Sequence, residues 1–201
     1  MTIRLASVLV ATALLAAGGC RPAPPRHEAW RAELARRQAD AAKSVELCRQ
    51  GMEAHERDDL DGARSLLSEA VEVDETNAHA WMALGVTEMD RDNLFEAAAA
   101  FDRAGRLEPS RYEPHYNIGL LYETAGRYGR AAEAYEIALQ LAPDQNEVLG
   151  NLARCYIRSN TQLHRAKELI DRALTTERRP EWLEWLQRQS MRLTPKPKAG
   201  P

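Results

Sequence analysis

Residues 112–135 read YEPHYNIGLLYETAGRYGRAAEAY. The stretch holds aromatics, glycines, alanines and charges, but no group set up for catalysis. Small residues stand at Gly119 and Ala131, aromatics at Tyr122 and Tyr135. The question is whether this is a site or a packing surface. Sliding the chain against itself by 34 residues answers it. Gly51 lands on Gly85, and Gly85 on Gly119. Ala63 lands on Ala97 and then Ala131, and Ala70 on Ala104 and then Ala138. Leu67 lands on Phe101 and then Tyr135, and Pro109 on Pro143. A fourth copy carries Leu152, Ala153 and Tyr156. One inserted residue within 159–163 then restores Ala166, Ile170 and Ala173.

Each copy reads as two helices. In the third, the first helix is expected over about 113–125, a turn over 126–128, and the second helix over about 130–141. Pro143 and its neighbours stop that helix. Two antiparallel helices pack closely only where something small sits at their crossing. Gly119 and Ala131 are small for that reason, Ala138 serves the next pair, and Tyr122 and Tyr135 fill the space between crossings. The pattern is packing. The whole is expected to be all-α.

The spacing resembles the tetratricopeptide repeat: Trp, Leu-Gly and Tyr in one helix, then Ala, an aromatic, Ala and Pro in the next. The second copy carries Trp81, Leu84, Gly85, Ala97, Phe101, Ala104 and Pro109, with Glu88 where the family has Tyr. The third carries His115, Ile118, Gly119, Tyr122, Ala131, Tyr135, Ala138 and Pro143. The outer copies are degenerate, as terminal repeats are. Glu75 replaces the proline in the first, and Ala153 replaces the glycine in the fourth. The resemblance implies a right-handed α-solenoid over 44–178, in copies of about 44–77, 78–111, 112–145 and 146–178. A helix over 179–193, with Pro180 in its first turn and Trp182, Trp185, Leu186 and Met191 on one face, follows as a cap or as a docking helix. A disordered tail is expected over 194–201.

The amino terminus differs in composition. Residues 1–20 read MTIRLASVLVATALLAAGGC. Arg4 and a short apolar run fit a secretory signal, and the run is too short to span a bilayer comfortably. The ending at Ala17, Gly18, Gly19 and Cys20 resembles a bacterial lipobox, with alanine where leucine is usual. The resemblance implies that residues 1–19 are removed and that the Cys20 sulfur carries a diacylglyceryl group. An ordinary secretory signal is the alternative. Arg21 replaces the aspartate that retains relatives at the inner membrane, so the outer membrane, facing the periplasm, is the expected home. Residues 20–26 form a Pro-rich tether. Residues 27–43 begin a helical run that continues to about 57, as one long helix or as two with a break near Asp40.

The 201 residues carry a net charge of −3, which points away from nucleic acid. No phosphate-cradling loop, nucleophile elbow or zinc-binding pair of histidines is present. The histidines, at 27, 55, 79, 115 and 164, never fall at a tight ligand spacing. The acidic residues are expected to be solvated. Cys48 and Cys155 sit three repeats apart, too far for a disulfide, and are expected to be free apolar fillers. No metal, cofactor, small-molecule substrate or catalytic residue is expected.

In the tetratricopeptide family the inner face of the solenoid comes from the first helix of each repeat. Carried onto this chain, that face holds Cys48, Met52 and His55 from copy one. Copy two supplies His79, Met82, Val86 and Met89, and copy three supplies Glu113, Tyr116, Leu120 and Glu123. Copy four supplies Glu147, Gly150, Arg154 and Ile157. Asn117 and Asn151 match an asparagine that bonds a bound peptide's backbone in the family. The methionines suit an apolar, irregular partner, an amphipathic helix or extended segment; alternatively Met82 and Met89 simply cover neighbouring helices. The resemblance implies a non-enzymatic envelope lipoprotein that binds another protein. Two roles fit: assisting pilus or secretin assembly, and acting as an adaptor for an envelope enzyme.

Overall fold

A computed structural model describes residues 26–194. The signal segment 1–19, Cys20, the tether up to residue 25 and the tail beyond Thr194 lie outside the described residues. Among the described residues there are nine α-helices and no strand. They are α1 (Arg26–Glu56), α2 (Leu60–Val73), α3 (Ala78–Asp90), α4 (Leu94–Leu107), α5 (Glu113–Thr124), α6 (Tyr128–Leu141), α7 (Asn146–Arg158), α8 (Leu163–Thr176) and α9 (Pro180–Leu193). Helix α1 is continuous through Asp40, so the long run is one helix. Its residues up to Arg36 form a unit of their own, with Trp30 64% exposed. The second unit, from Arg37 onward, is the solenoid.

The second helices show why the sequence folds this way. In α2, α4, α6 and α8 the buried residues recur at matched positions. They are Ala63, Ala97, Ala131 and Ala166, then Leu67, Phe101, Tyr135 and Ile170, then Ala70, Ala104, Ala138 and Ala173. The large residue of each set fills the notch left by a glycine. A Cβ on Gly51 would lie 2.6 Å from Leu67 Cγ, one on Gly85 2.5 Å from Phe101 Cε1, and one on Gly119 2.4 Å from Tyr135 Cε1. In the fourth copy Ala153 and Ile170 hold these places, both fully buried.

The turns repeat as faithfully. Asp58, Asp92, Gly126 and Asn160 all have positive φ, between 54° and 70°, at steps of 34 residues. The residue after each donates its N–H back to the carbonyl five residues earlier: Asp59 to Ala54, Asn93 to Glu88, Arg127 to Tyr122, Thr161 to Tyr156. This left-handed cap satisfies a helix-end carbonyl and reverses the chain. The inserted residue of copy four falls here, and Gln162 becomes a second left-handed residue.

From α2 to α9 each helix packs on the next, and α3 also touches α5. At the amino end of the solenoid, Ser44 of α1 donates to the Ala70 carbonyl at 2.8 Å and accepts from Asn77 Nδ2 at 2.9 Å. At the far end α9 closes the stack. Leu186 is fully buried, and Trp182 lies over Gly150, where a Cβ would sit 2.2 Å from the indole. The molecule is an α-solenoid of helix pairs with a carboxy-terminal capping helix.

Candidate functional site

Two of the first helices, α3 and α5, differ from the second helix α4 in one respect. Helix α4 is apolar on one side only, whereas α3 and α5 are apolar on both. One side of α3, through Ala80, Leu84, Gly85 and Thr87, is buried against the stack. The other side carries Met82, Val86 and Met89, half-buried beside a cluster of Ala97, Phe101 and Leu121. Beside them Met52, 50% exposed, and Val86 line a recess of about 170 Å³ with His55, Glu56, Leu67, Ala83 and Thr87. His55 Nε2 lies 2.8 Å from Asp90 Oδ2 at its edge.

The inner face becomes polar toward the carboxy end. Glu123 accepts from the Tyr135 hydroxyl at 3.0 Å and from Arg154 Nε and Nη2 at 2.5 and 3.1 Å. Burial, with the facing Glu123 carboxylate, pushes the Tyr135 phenol well above its ordinary range, so it stays a donor. The Arg154 guanidinium lies 5.9 Å from the centre of the Trp182 ring. Arg154 thus borders two recesses. One, about 210 Å³, is shared with Glu181, Trp182 and Trp185. The other, about 300 Å³, is shared with Leu120, Glu123, Thr124, Tyr128 and Arg158.

The expected groove residues therefore fall in two groups. Met52, His55, Met82, Val86 and Met89 gather around α3, while Tyr116, Leu120, Glu123 and Arg154 gather around α5 and α7. His79 is exposed and 3.5 Å from Arg111 Nη1, and Asn117 is half-buried. Asn151 is only 2% exposed. Its Nδ2 donates to the Tyr116 hydroxyl at 3.1 Å and its Oδ1 has no partner, so the amide faces its own fold. Cys48, 5% exposed, belongs to the core beside Leu47 and Ala54. Gly150 is covered by Trp182.

Several contacts among these residues were not anticipated from the sequence. Trp182 and Trp185 border the inner face beyond copy four. Glu123 and Arg154, opposite charges one helix pair apart, form a fixed pair; they stand 31 residues apart, out of the repeat register, so sliding the chain against itself does not align them. Arg111 donates to Glu108 and Glu113 at 3.0 Å each and holds the Glu113 carboxyl below its ordinary range. The acidic residues are not all solvated. Glu88 is 3% exposed and accepts from Arg64 Nε at 2.8 Å and Asn93 Nδ2 at 2.6 Å. Among the described residues no three His, Cys, Asp or Glu side chains gather as metal ligands, and no helix is long and apolar enough to cross a membrane.

A stacked helical-hairpin solenoid with an inner face built by its first helices defines a class of repeat protein. Sequence profiles described as Tetratricopeptide repeat match residues 48–112 and 124–187, together more than half of the chain. The chain belongs to the tetratricopeptide repeat family. It is similar to Protein O-mannosyl-transferase Tmtc3 of Drosophila melanogaster, 25% identical over 152 residues, covering 68% of this chain and 16% of that protein. It is also similar to the BBSome complex member BBS4 homolog of the same organism, 26% identical over 117 residues, covering 58% and 24%. The chain spans less than a quarter of either relative. Among solved structures, MamA is 25% identical with a TM-score of 0.61, covering 69% of this chain and 75% of that one. The pilF protein of Pseudomonas aeruginosa is 20% identical with a TM-score of 0.65, covering 77% and 72%, a likeness of fold.

Proposed function

We propose that this protein is an assembly-assisting scaffold of the bacterial cell envelope. It is held by lipid on Cys20, and it binds a segment of a partner protein along the inner face of its solenoid. It acts by binding, with no bond made or broken. The observation that carries the reading is the two-sided apolar character of α3 and α5. One side suffices to build the stack. The second leaves Met82, Val86 and Met89 half-buried, next to Met52 of α1 and a recess wide enough for an apolar side chain of a partner. Methionine at 52, 82 and 89 lets that surface adapt to an irregular occupant.

In-cell crosslinking tests this, comparing the native chain with a Met52→Glu, Met82→Glu variant shown to be folded by circular dichroism. An envelope protein that crosslinks to the native chain and is lost with the variant supports the groove. A partner that persists overturns it. Mass spectrometry of the mature amino terminus tests the anchor separately: a chain that still begins at Met1 without lipid overturns it.

A further inference from the structure

The turns at Asp58, Asp92, Gly126 and Asn160 recur in register and so share one edge of the solenoid. Charge is divided along that edge. The first two turns expose Asp58, Asp59, Asp61, Asp92 and Glu96, which outnumber the exposed Arg57 beside them. Arg91, between them, is engaged by Asp61 and Glu88. The last two turns expose Arg127, Arg130, Arg158 and His164, and neither 124–132 nor 157–167 contains an acidic residue.

Shape is divided in the same way. Phe95 projects from the first turn of α4 and is 83% exposed, the most exposed large apolar side chain among the described residues. One repeat later its position is Gly129, where a Cβ would meet nothing within 4 Å. Around Gly129 lies a shallow depression, wide open to solvent and lined by Gly126, Arg127, Tyr128, Arg130 and Ser159. The edge thus carries a knob among acids and a hollow among bases.

We propose that a second copy of this chain docks against this edge, about a two-fold axis passing between Phe95 and Gly129. An isologous interface needs a surface that complements its own copy rotated by half a turn. Half a turn about that axis sets Phe95 of each copy in the hollow over the partner's Gly129. It also sets the acidic turns of each copy against the basic turns of the other. The guanidinium group of Arg127 then flanks the inserted ring, where a cation is attracted to an aromatic face, while Arg130, 5.8 Å from the centre of its own Tyr122 ring, adds to the positive field. A purely basic or purely acidic partner complements only half of the edge. The rotated copy complements both halves. This surface meets the inner face at Tyr128 and Arg158 but lies apart from Met52 and Met82, on which the groove is tested, so the two readings stand or fall independently.

Two measurements on the full chain test the proposal. In the first, Phe95→Cys and Gly129→Cys chains are co-expressed and oxidised. A disulfide-linked dimer is expected, absent from the native chain and much weaker with either variant alone. In the second, sedimentation velocity is run on two charge-reversed chains, Asp61→Lys with Glu96→Lys, and Arg127→Glu with Arg130→Glu. Each alone is expected to be monomeric where the native chain is dimeric. Their mixture is expected to restore a heterodimer, which also shows that both chains are folded. Added salt weakens the native dimer at least tenfold if the charges act across the edge. A native chain that stays monomeric throughout a concentration series overturns the proposal, as does a dimer that survives either reversal or a mixture that fails to pair.

Discussion

Gly119 and Tyr135 meet so closely that a Cβ on the glycine would lie 2.4 Å from the ring. The same contact joins Gly85 to Phe101. Gly119→Ala forces the buried ring to move, an overpacking cost of about 1–3 kcal/mol, while helix propensity returns only about 1 kcal/mol. Urea denaturation is expected to show a net loss of stability. The fourth copy suggests the remedy, since Ala153 there accompanies Ile170. Gly119→Ala combined with Tyr135→Ile is expected to lose less than the sum of the single changes, with a coupling of about 1 kcal/mol. Simple additivity would show that the notch is not what limits this position.

Gly126 poses the opposite case. No atom lies within 4 Å of a Cβ added there, yet its φ is +70°. Alanine fits the space but not the backbone, at a cost of about 1–2 kcal/mol. Asp58, Asp92 and Asn160 occupy the same conformation in the other repeats, and short polar side chains tolerate it. Thermal unfolding is therefore expected to rank Gly126→Asn above Gly126→Ala. The reverse order would mean that side-chain volume, not φ, decides the residue at this turn.

These two glycines also show how much was legible in advance. Residue type at a fixed spacing revealed the notch, the crossing alanines and the repeat length, because packing of one helix pair depends on a few positions within it. The inner face was legible only as a list of positions. Whether Met52 stands free or Cys48 turns into the core depends on how α1 rotates against α2, and composition along α1 leaves several rotations equally apolar. The Glu123–Arg154 pair and the cover of Trp182 over Gly150 depend on reach between separate helices. Glu88 was visible as a departure from the family's tyrosine, but its burial followed from Arg64 and Asn93, residues of other elements.

Glu88 is a buried carboxylate held by Arg64 and Asn93. Removing one member of a buried charged cluster strands the rest, but the Arg64 side chain is 53% exposed and can hydrate, and Arg91, the third cation facing Glu88, keeps Asp61. Glu88→Ala is therefore expected to cost about 2 kcal/mol, below the range for a fully buried pair. Tyrosine holds the matching places, 122 and 156. Glu88→Tyr is expected to retain most of the native stability in a denaturant titration. A tyrosine variant less stable than the alanine variant would show that the charged cluster, not the filled volume, is needed there.

Glu177 links α8 to α9. Its Oε1 accepts from the backbone N–H groups of Arg178 and Arg179 at 2.8 and 2.9 Å, and Arg179 Nη2 donates to Oε2 at 2.6 Å. Arg179, with those N–H groups, holds the carboxyl down at about 2, from an ordinary 4.5. A depressed folded pKa stabilises the fold above the unfolded value, and that stability is lost as pH falls from about 4.5 toward 2. The fluorescence of Trp182 and Trp185 on α9 is expected to report loosening of the cap in this window. In Glu177→Gln the cap is expected to be weaker at neutral pH and its signal flatter through the window. An unchanged acid transition in that variant would place the sensitive group elsewhere.

Cys155 is fully buried, and burial pushes its thiol up to about 12, with Glu123 adding to the rise. The Cys48 thiol is also raised by burial. The thiolate is the reacting form, so neither is expected to react with a thiol reagent in the folded chain at about pH 8. Unfolding removes both the burial and the facing carboxylate, and both thiols become reactive. The number that reacts then bears on the amino terminus, because the chain has three cysteines. A lipid on Cys20 blocks its sulfur, and the unfolded protein from the membrane fraction is expected to titrate two thiols. A third thiol in that fraction would show Cys20 free and would remove the proposed anchor. Rapid reaction of Cys155 in the folded protein would show instead that the fourth repeat opens readily in solution.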